Sequence, residues 1–366
     1  MKMFVCGLLV VTALFVSSSS GASLAPVSEK KELFSEAEAI KDQNGKELVT
    51  SRASGHPTVM DFNGDGKPDI ILGCHTGMGV ATAEILVLEN VGTMAKPKFE
   101  WPAKKKIMVA GDKMFSSSCG CKSGGAFETY PIDWNADGNM DIVVNTYWTK
   151  GVVLLLNTGE NKEYPVFKEE KKLFEIGQKH SRGSGGGDWN NDGILDYVHP
   201  VNKYSFTVYA GAKSPKGEMN FDKKEFSSNS YTLTGHDAYP PIDVKGEKKP
   251  AWFDHTPYAW NFSGKNPKGS KITEVIAVKN KADYDATEDY AQKKCDLNYY
   301  WLDREAKTCE LKGRIAVNSA AATRLSIGDL NGDGSMDLLF TGGTFNKDGA
   351  GTKIWVMYGK VKNILK

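Results

Sequence analysis

Asp61-Phe62-Asn63-Gly64-Asp65-Gly66-Lys67-Pro68-Asp69 runs directly into the apolar stretch Ile70-Ile71-Leu72-Gly73. Oxygen-bearing side chains at alternate positions, a glycine at the sixth and a carboxylate at the ninth describe a tight turn, and the β-branched run behind it reads as a strand. The string Asp-x-Asn-x-Asp-Gly-x-x-Asp starts again at Asp133, Asp188 and Asp329, each time before an apolar run. A further strand and turn recur as ILVLENVG from Ile85 and VVLLLNTG from Val152. The repeating unit is several strands joined by tight turns, so the chain is expected to be all-β.

A decayed copy is legible where Pro241-Ile242-Asp243-Val244-Lys245-Gly246 aligns with Pro131-Ile132-Asp133-Trp134-Asn135-Ala136, its strand surviving as ITEVIAVKN from Ile272. The five starts lie 72, 55, 55 and 86 residues apart. Units of that length fill the chain as about five, with room for a sixth in the longest gap. The N-terminal APVSEKKELF from Ala25 resembles YPVFKEEKKLF from Tyr164, which places the N-terminus at the outer edge of the last unit, beside the C-terminal strand. The polar stretch Asp283 to Lys294 reads as a helix inside an insertion at about 280–314, expected to be clipped shut by Cys295 and Cys309.

Alternate side-chain oxygens with a backbone carbonyl at the seventh position can wrap a hard cation, and calcium fits best. The ligand sets would be Asp61, Asn63, Asp65, Lys67 and Asp69; Asp133, Asn135, Asp137, Asn139 and Asp141; Asp188, Asn190, Asp192, Ile194 and Asp196; and Asp329, Asn331, Asp333, Ser335 and Asp337. An EF-hand needs a bidentate Glu at position twelve, where this chain has Leu72, Val144, His199 and Phe340. The loops with their flanking strands resemble the FG-GAP/VCBS repeats of integrin α-subunit propellers and of many exported bacterial proteins. That resemblance implies a calcium-stabilised β-propeller of five blades, six being possible, closed by N- and C-terminal strands in one blade. It puts calcium in the turn between the first two strands of four blades, about four ions in all. The decayed unit carries Lys245, Glu247, Lys249 and Ala251 at the ligand positions and is expected to hold none.

Lys2, the apolar run Met3 to Val16 and the small residues that follow read as a secretory signal peptide cleaved after Ala22, leaving a single domain over residues 23–366. The apolar run is shorter than the ~20 residues a bilayer span needs, and the expected location is secreted or periplasmic. A formal net charge of +1 gives no field for nucleic acid. Cys6 leaves with the peptide, and among the remaining five Cys74 is expected to pair with Cys119 or Cys121, with at least one thiol left over.

Every histidine falls just before a loop (His56, His180, His236) or at the end of the strand after it (His75, His199, His255). If each loop joins antiparallel strands, these positions meet at the opposite end of the strand pair. Arg182, Asp237, Asp254 and Arg324 share that tier. Such a mouth could hold a transition metal or supply acid and base to a sugar, and the alternative is that strand ends simply tolerate half-buried histidine. Trp101, Tyr147, Trp148, Tyr239, Trp252, Tyr258 and Trp260 offer flat rings for sugar stacking, or are core; Trp134 and Trp189 are expected to pack between units. The leading expectation is a non-catalytic module binding a glycan or an extracellular protein through one face. A carbohydrate-active lyase or hydrolase, a transition-metal site and an adhesion component stand as alternatives.

Overall fold

Short runs rich in Val, Ile, Leu and aromatics, punctuated by Gly, Asn and Asp, can bury one or both faces only as strands. In the computed structural model of the chain the described residues are 28–50, 53–75, 83–107, 127–146, 151–161, 165–175, 185–202, 205–227, 232–234, 242–244, 247–249, 257–278, 294–320, 322–344 and 351–362. They open with two short strands, β1 (Glu38–Ala39) and β2 (Val49–Thr50). Strands β3 (Ala53–Met60), β4 (Asp69–His75), β5 (Ala83–Leu88) and β6 (Lys105–Lys106) form one antiparallel sheet in chain order. A second such sheet holds β7 (Phe127–Ile132), β8 (Asp141–Thr146), β9 (Gly151–Asn157) and β10 (Phe167–Glu175).

Next in the chain come β11 (Gly185–Gly187), β12 (Asp196–Asn202), β13 (Ser205–Lys213), β14 (Met219–Ser227) and β15 (Thr232–Thr234). The hairpin β16 (Ile242–Val244) and β17 (Glu247–Lys249) stands as its own two-stranded sheet. After it run β18 (Tyr258–Ala259), β19 (Ile272–Val278), β20 (Lys294–Asp303) and β21 (Thr308–Ala320). A nine-stranded sheet takes the order β14-β13-β12-β11-β18-β19-β20-β21-β15, with β11–β18 and β15–β21 parallel and the rest antiparallel. The last strands, β22 (Ala322–Gly328), β23 (Asp337–Thr344) and β24 (Gly351–Met357), form a sheet on whose outer strand β24 both β1 and β2 pair.

This topology corrects the expected propeller of separate four-stranded blades, and with it the FG-GAP/VCBS and integrin-like assignment drawn from the loops. The sheets are open, the nine-stranded one is mixed, two of the expected units are fused through the parallel β11–β18 pair, and no sheet closes on itself among the described residues. The decayed copy is also misplaced by sequence. Residues 242–249 make the detached hairpin, and the loop joining the first two strands of that unit is Trp260 to Lys271, between β18 and β19. Residues 294–314 of the supposed insertion belong to the hairpin of two long strands, β20, which pairs with β19, and β21, which pairs with β20. Cys309 sits opposite Leu302 as a buried free thiol, so the expected clip to Cys295 is not what holds that hairpin. The signal peptide, the stretch 283–293, and Cys119 and Cys121 lie outside the described residues, as do the side chains of Cys74 and Cys295.

Trp189 packs in a cluster with Val198, Val208, Ala259, Val275 and Tyr300, which spans the β11–β18 joint and explains why that joint holds. Trp134 is half-buried and meets Phe221 edge-on at 5.3 Å.

Candidate functional site

Each Asp-rich loop joins the first two strands of a sheet unit and is closed by its own hydrogen bonds. The ninth-position carboxylate does most of this work. In the first loop Asp69 accepts from the Phe62 N–H at 3.0 Å and from the Asn90 N–H at 2.7 Å, tying the loop to the turn after the third strand. Asp141 does the same with Trp134 and Asn157, Asp196 with Trp189 and Gly211, and Asp337 with Leu330 and Gly359. All four are fully buried. Burial raises their pKa, to about 6 for Asp69 and Asp141, about 8 for Asp196 and about 7 for Asp337, against the pull of the two N–H donors on each.

The first-position Asp accepts the N–H of the sixth-position glycine, as Asp61 does from Gly66 at 2.9 Å and Asp188 from Gly193 at 3.0 Å. That glycine has φ between +81° and +86° in all four loops, which side chains with a Cβ rarely adopt. In three loops the third-position amide donates to the fifth-position carboxylate: Asn135 to Asp137, Asn190 to Asp192 and Asn331 to Asp333. A cation would need those amide oxygens, not their N–H groups, facing inward.

The expected calcium sites are therefore corrected. Among the described residues no three His, Cys, Asp or Glu side chains come together as a metal-holding group. The carboxylates and amides named as ligands act as acceptors and donors within the loop. The fifth loop supports this account, because it closes in a related way without the acidic string. Glu274, fully buried, accepts from Ser263 N–H at 2.8 Å, Ser263 Oγ–H at 2.5 Å and Asn266 Nδ2–H at 2.5 Å. Sequence reading passed over Glu274; its signal was a single acid inside the apolar run Ile272 to Val278.

The histidine mouth, whether for a transition metal or for acid–base chemistry, is likewise corrected for want of any such group among the described residues. His180, His236, His255, Arg182, Asp237 and Asp254 lie outside them, as do the side chains of His75 and His199. His56 and Arg324 are described, and their role is internal. Arg324 Nη1 donates to Glu128 Oε1 at 2.7 Å, Asn145 Nδ2 donates to Glu128 Oε2 at 3.2 Å, and all three are buried. His56 is buried beside this pair with neither ring nitrogen hydrogen-bonded among the described residues, and desolvation lowers its pKa to about 4; the Glu128 charge opposes the lowering and Arg324 adds to it.

A stability consequence follows from the sign of that shift. The unfolded chain takes up the His56 proton near pH 6.5 and the folded chain only near pH 4. The contribution is present above 6.5 and lost as pH falls through 4, by about 3 kcal/mol at most. The unfolding free energy of the native chain minus that of His56→Gln should rise between pH 4 and 6.5 and stay level above. A flat difference across that window would show that the ring is not desolvated.

One cavity of about 450 Å³ lies among β3, β7, β11, β18 and β22. Tyr130, Ile132, Tyr258, Trp260, Met219 and Met336 supply much of its wall, and Asp133 and Lys213 are its charged residues. Tyr258 and Trp260 are thus buried wall residues, at 2% and 4% exposure, and not open stacking platforms. Tyr147, Trp148, Tyr239 and Trp252 lie outside the described residues. Asp133 Oδ1 is buried with no hydrogen-bond partner among the described residues. Gly187 brings the backbone close enough to form one side of this space.

No protein-family model matches the chain, and no curated protein matches it. Among solved structures the chain is similar to the core factor of S. cerevisiae, at 8% identity and a TM-score of 0.28, covering 93% of this chain and 63% of that one. The chain thus spans under two thirds of that structure's length, and a likeness this weak carries no argument about fold or role. No helix among the described residues is long and apolar enough to cross a membrane.

Proposed function

We propose that the chain is an exported protein that binds an extracellular protein, taking an apolar side chain of that partner into the cavity among β3, β7, β11, β18 and β22. Export rests on Lys2, the apolar run Met3 to Val16 and the small residues Ser20 and Ala22. The observation that carries the binding reading is the wall of the cavity, aromatic and aliphatic with methionines Met140, Met219 and Met336. Its volume falls within the ~300–1,000 Å³ range of ligand sites, and unbranched thioether chains let such a wall adapt to its occupant. Of the two partner classes expected, a glycan fits this cavity poorly. Buried sugar hydroxyls need a dense set of donors and acceptors, and leaving them unpaired is costly. A protein anchor needs apolar contact plus a few polar groups for orientation, which Asp133 and Lys213 provide.

Selection of peptides on the purified chain tests this. Selected peptides should carry a Leu, Met or aromatic anchor and bind Ile327→Trp, in which indole fills the cavity, at least about tenfold more weakly than the native chain. Val91→Ser, at an exposed position away from the cavity, should bind them unchanged. Failure to select any peptide, or equal binding to a folded Ile327→Trp protein, would remove the cavity from the function.

A further inference from the structure

A second cleft, of about 370 Å³, lies on the far end of the nine-stranded sheet. Tyr299 and Trp301 are two apart on β20 and so stand on one face. Trp301 Nε1–H donates to Tyr299 Oη at 3.0 Å, which fixes the two rings against each other. The N-terminal segment is strapped along β21: the Lys30 N–H donates to the Arg314 carbonyl at 2.8 Å and the Arg314 N–H to the Ser28 carbonyl at 2.9 Å. Gly313 allows that approach, because a Cβ there would fall 2.6 Å from Lys30 Cγ and 2.8 Å from the Ser28 oxygen.

The strap delivers Lys30 to the cleft, where Lys265 and Lys312 join it against Glu32 as the acid of the lining. Lys312 Nζ stands 4.9 Å from the centre of the Trp301 ring and 2.6 Å from Glu310; Lys30 Nζ lies 6.0 Å from the Tyr299 ring and 3.7 Å from Glu32. The Lys265 ammonium is exposed and has no ion pair or hydrogen bond among the described residues. Ser263 and Tyr299 also line the cleft, their hydroxyls already engaged, Ser263 Oγ–H with Glu274 and Tyr299 Oη with Trp301. An aromatic wall and three separated ammonium groups, with Lys265 the one that has no acidic partner among the described residues, match one ligand chemistry: a sugar ring bearing an anionic group. Lysines act as separate point charges and lack the fork that arginine offers to phosphate.

We propose that this cleft binds an acidic glycan, its carboxylate or sulfate held among Lys30, Lys265 and Lys312 and its ring edge set against Trp301. The site is separate from the cavity, and its success or failure is independent of the protein-binding reading. Titration calorimetry of the full chain with polygalacturonate oligomers and with heparin oligomers separates carboxylate from sulfate as the bound group, with neutral dextran and polyglutamate as comparisons. At least one acidic glycan should bind, more weakly as salt rises. Lys265→Glu and Lys312→Glu should each weaken it by about tenfold or more, the effect expected when a charged acceptor loses a charged donor. Ile327→Trp should leave it unchanged. No binding of either glycan, equal binding of polyglutamate, or indifference to both lysine reversals would overturn the proposal.

Discussion

Arg324→Leu is expected to lower the unfolding free energy by about 3–5 kcal/mol, read from urea denaturation at neutral pH, because it strands Glu128 as a buried charge without its guanidinium. The pair is held at 2.7 Å with side-chain exposures of 9% and 3%, so water cannot replace the lost partner without opening the structure. Arg324 lies on β22 and Glu128 on β7, so the bond joins strands of two different sheets, with His56 of β3 beside them. Loss of the arginine also removes one of the influences that lower the His56 pKa while leaving the Glu128 charge that raises it. The His56 ring should therefore titrate nearer neutrality in the variant, which proton NMR would follow. The double variant Glu128→Leu/Arg324→Leu should recover most of the loss, since no unpaired charge remains. A loss below about 1 kcal/mol for Arg324→Leu would place the pair in the range of solvated surface bridges and end this account.

The strands after each Asp-rich string were legible because local chemistry decides them: an apolar β-branched run behind a turn has few other options. The ends of the loops were legible for the same reason. What the loop carboxylates do was not, since one row of Asp and Asn can face a cation or can accept the loop's own N–H groups, and sequence writes both alike. Asp69 shows the ambiguity, with one oxygen on Phe62 and the other on Asn90, a residue 21 positions away that no local pattern names. The misplaced copy at Pro241 has a similar origin. Its match rested on Pro-Ile-Asp, three residues, whereas the loop that holds the equivalent place is closed by Ser263, Asn266 and Glu274, which do not follow the spacing of the acidic string. Arg324 and His56 were expected at a mouth, whereas in the structure they lie beside Glu128, a residue that sequence reading passed over. Sheet order was the least legible feature, because a parallel pair between strands about seventy residues apart leaves no periodic trace.

That parallel joint gives Gly187→Ala the closest approach of an added methyl group to its surroundings among the described glycines. Gly187 has φ of +112°, and a Cβ on it would fall 1.8 Å from the Ala259 carbonyl oxygen and 2.8 Å from its carbon. These are backbone atoms of β18, so no rotamer change relieves the clash. The strands must separate. Gly185 faces Pro257 O at 2.0 Å and Gly186 faces the Tyr130 ring at 2.2 Å, so the three-glycine strand β11 is glycine throughout because another chain segment occupies each Cβ position. Separation would break the pairing of Gly186 with Tyr258 and Gly187 with Ala259, loosen the Trp189 cluster across the joint and open one wall of the cavity. The cost should reach about 4 kcal/mol or more, the exceptional end for one substitution, and the variant should bury less surface and unfold at lower urea. Gly64→Ala makes the comparison, since it too has positive φ, at +70°, but its Cβ would meet nothing within 4 Å. It should cost only the backbone term, about 1–2 kcal/mol. Equal losses in the two variants would mean that positive φ alone sets the cost and that the approach of β18 to β11 does not constrain the residue.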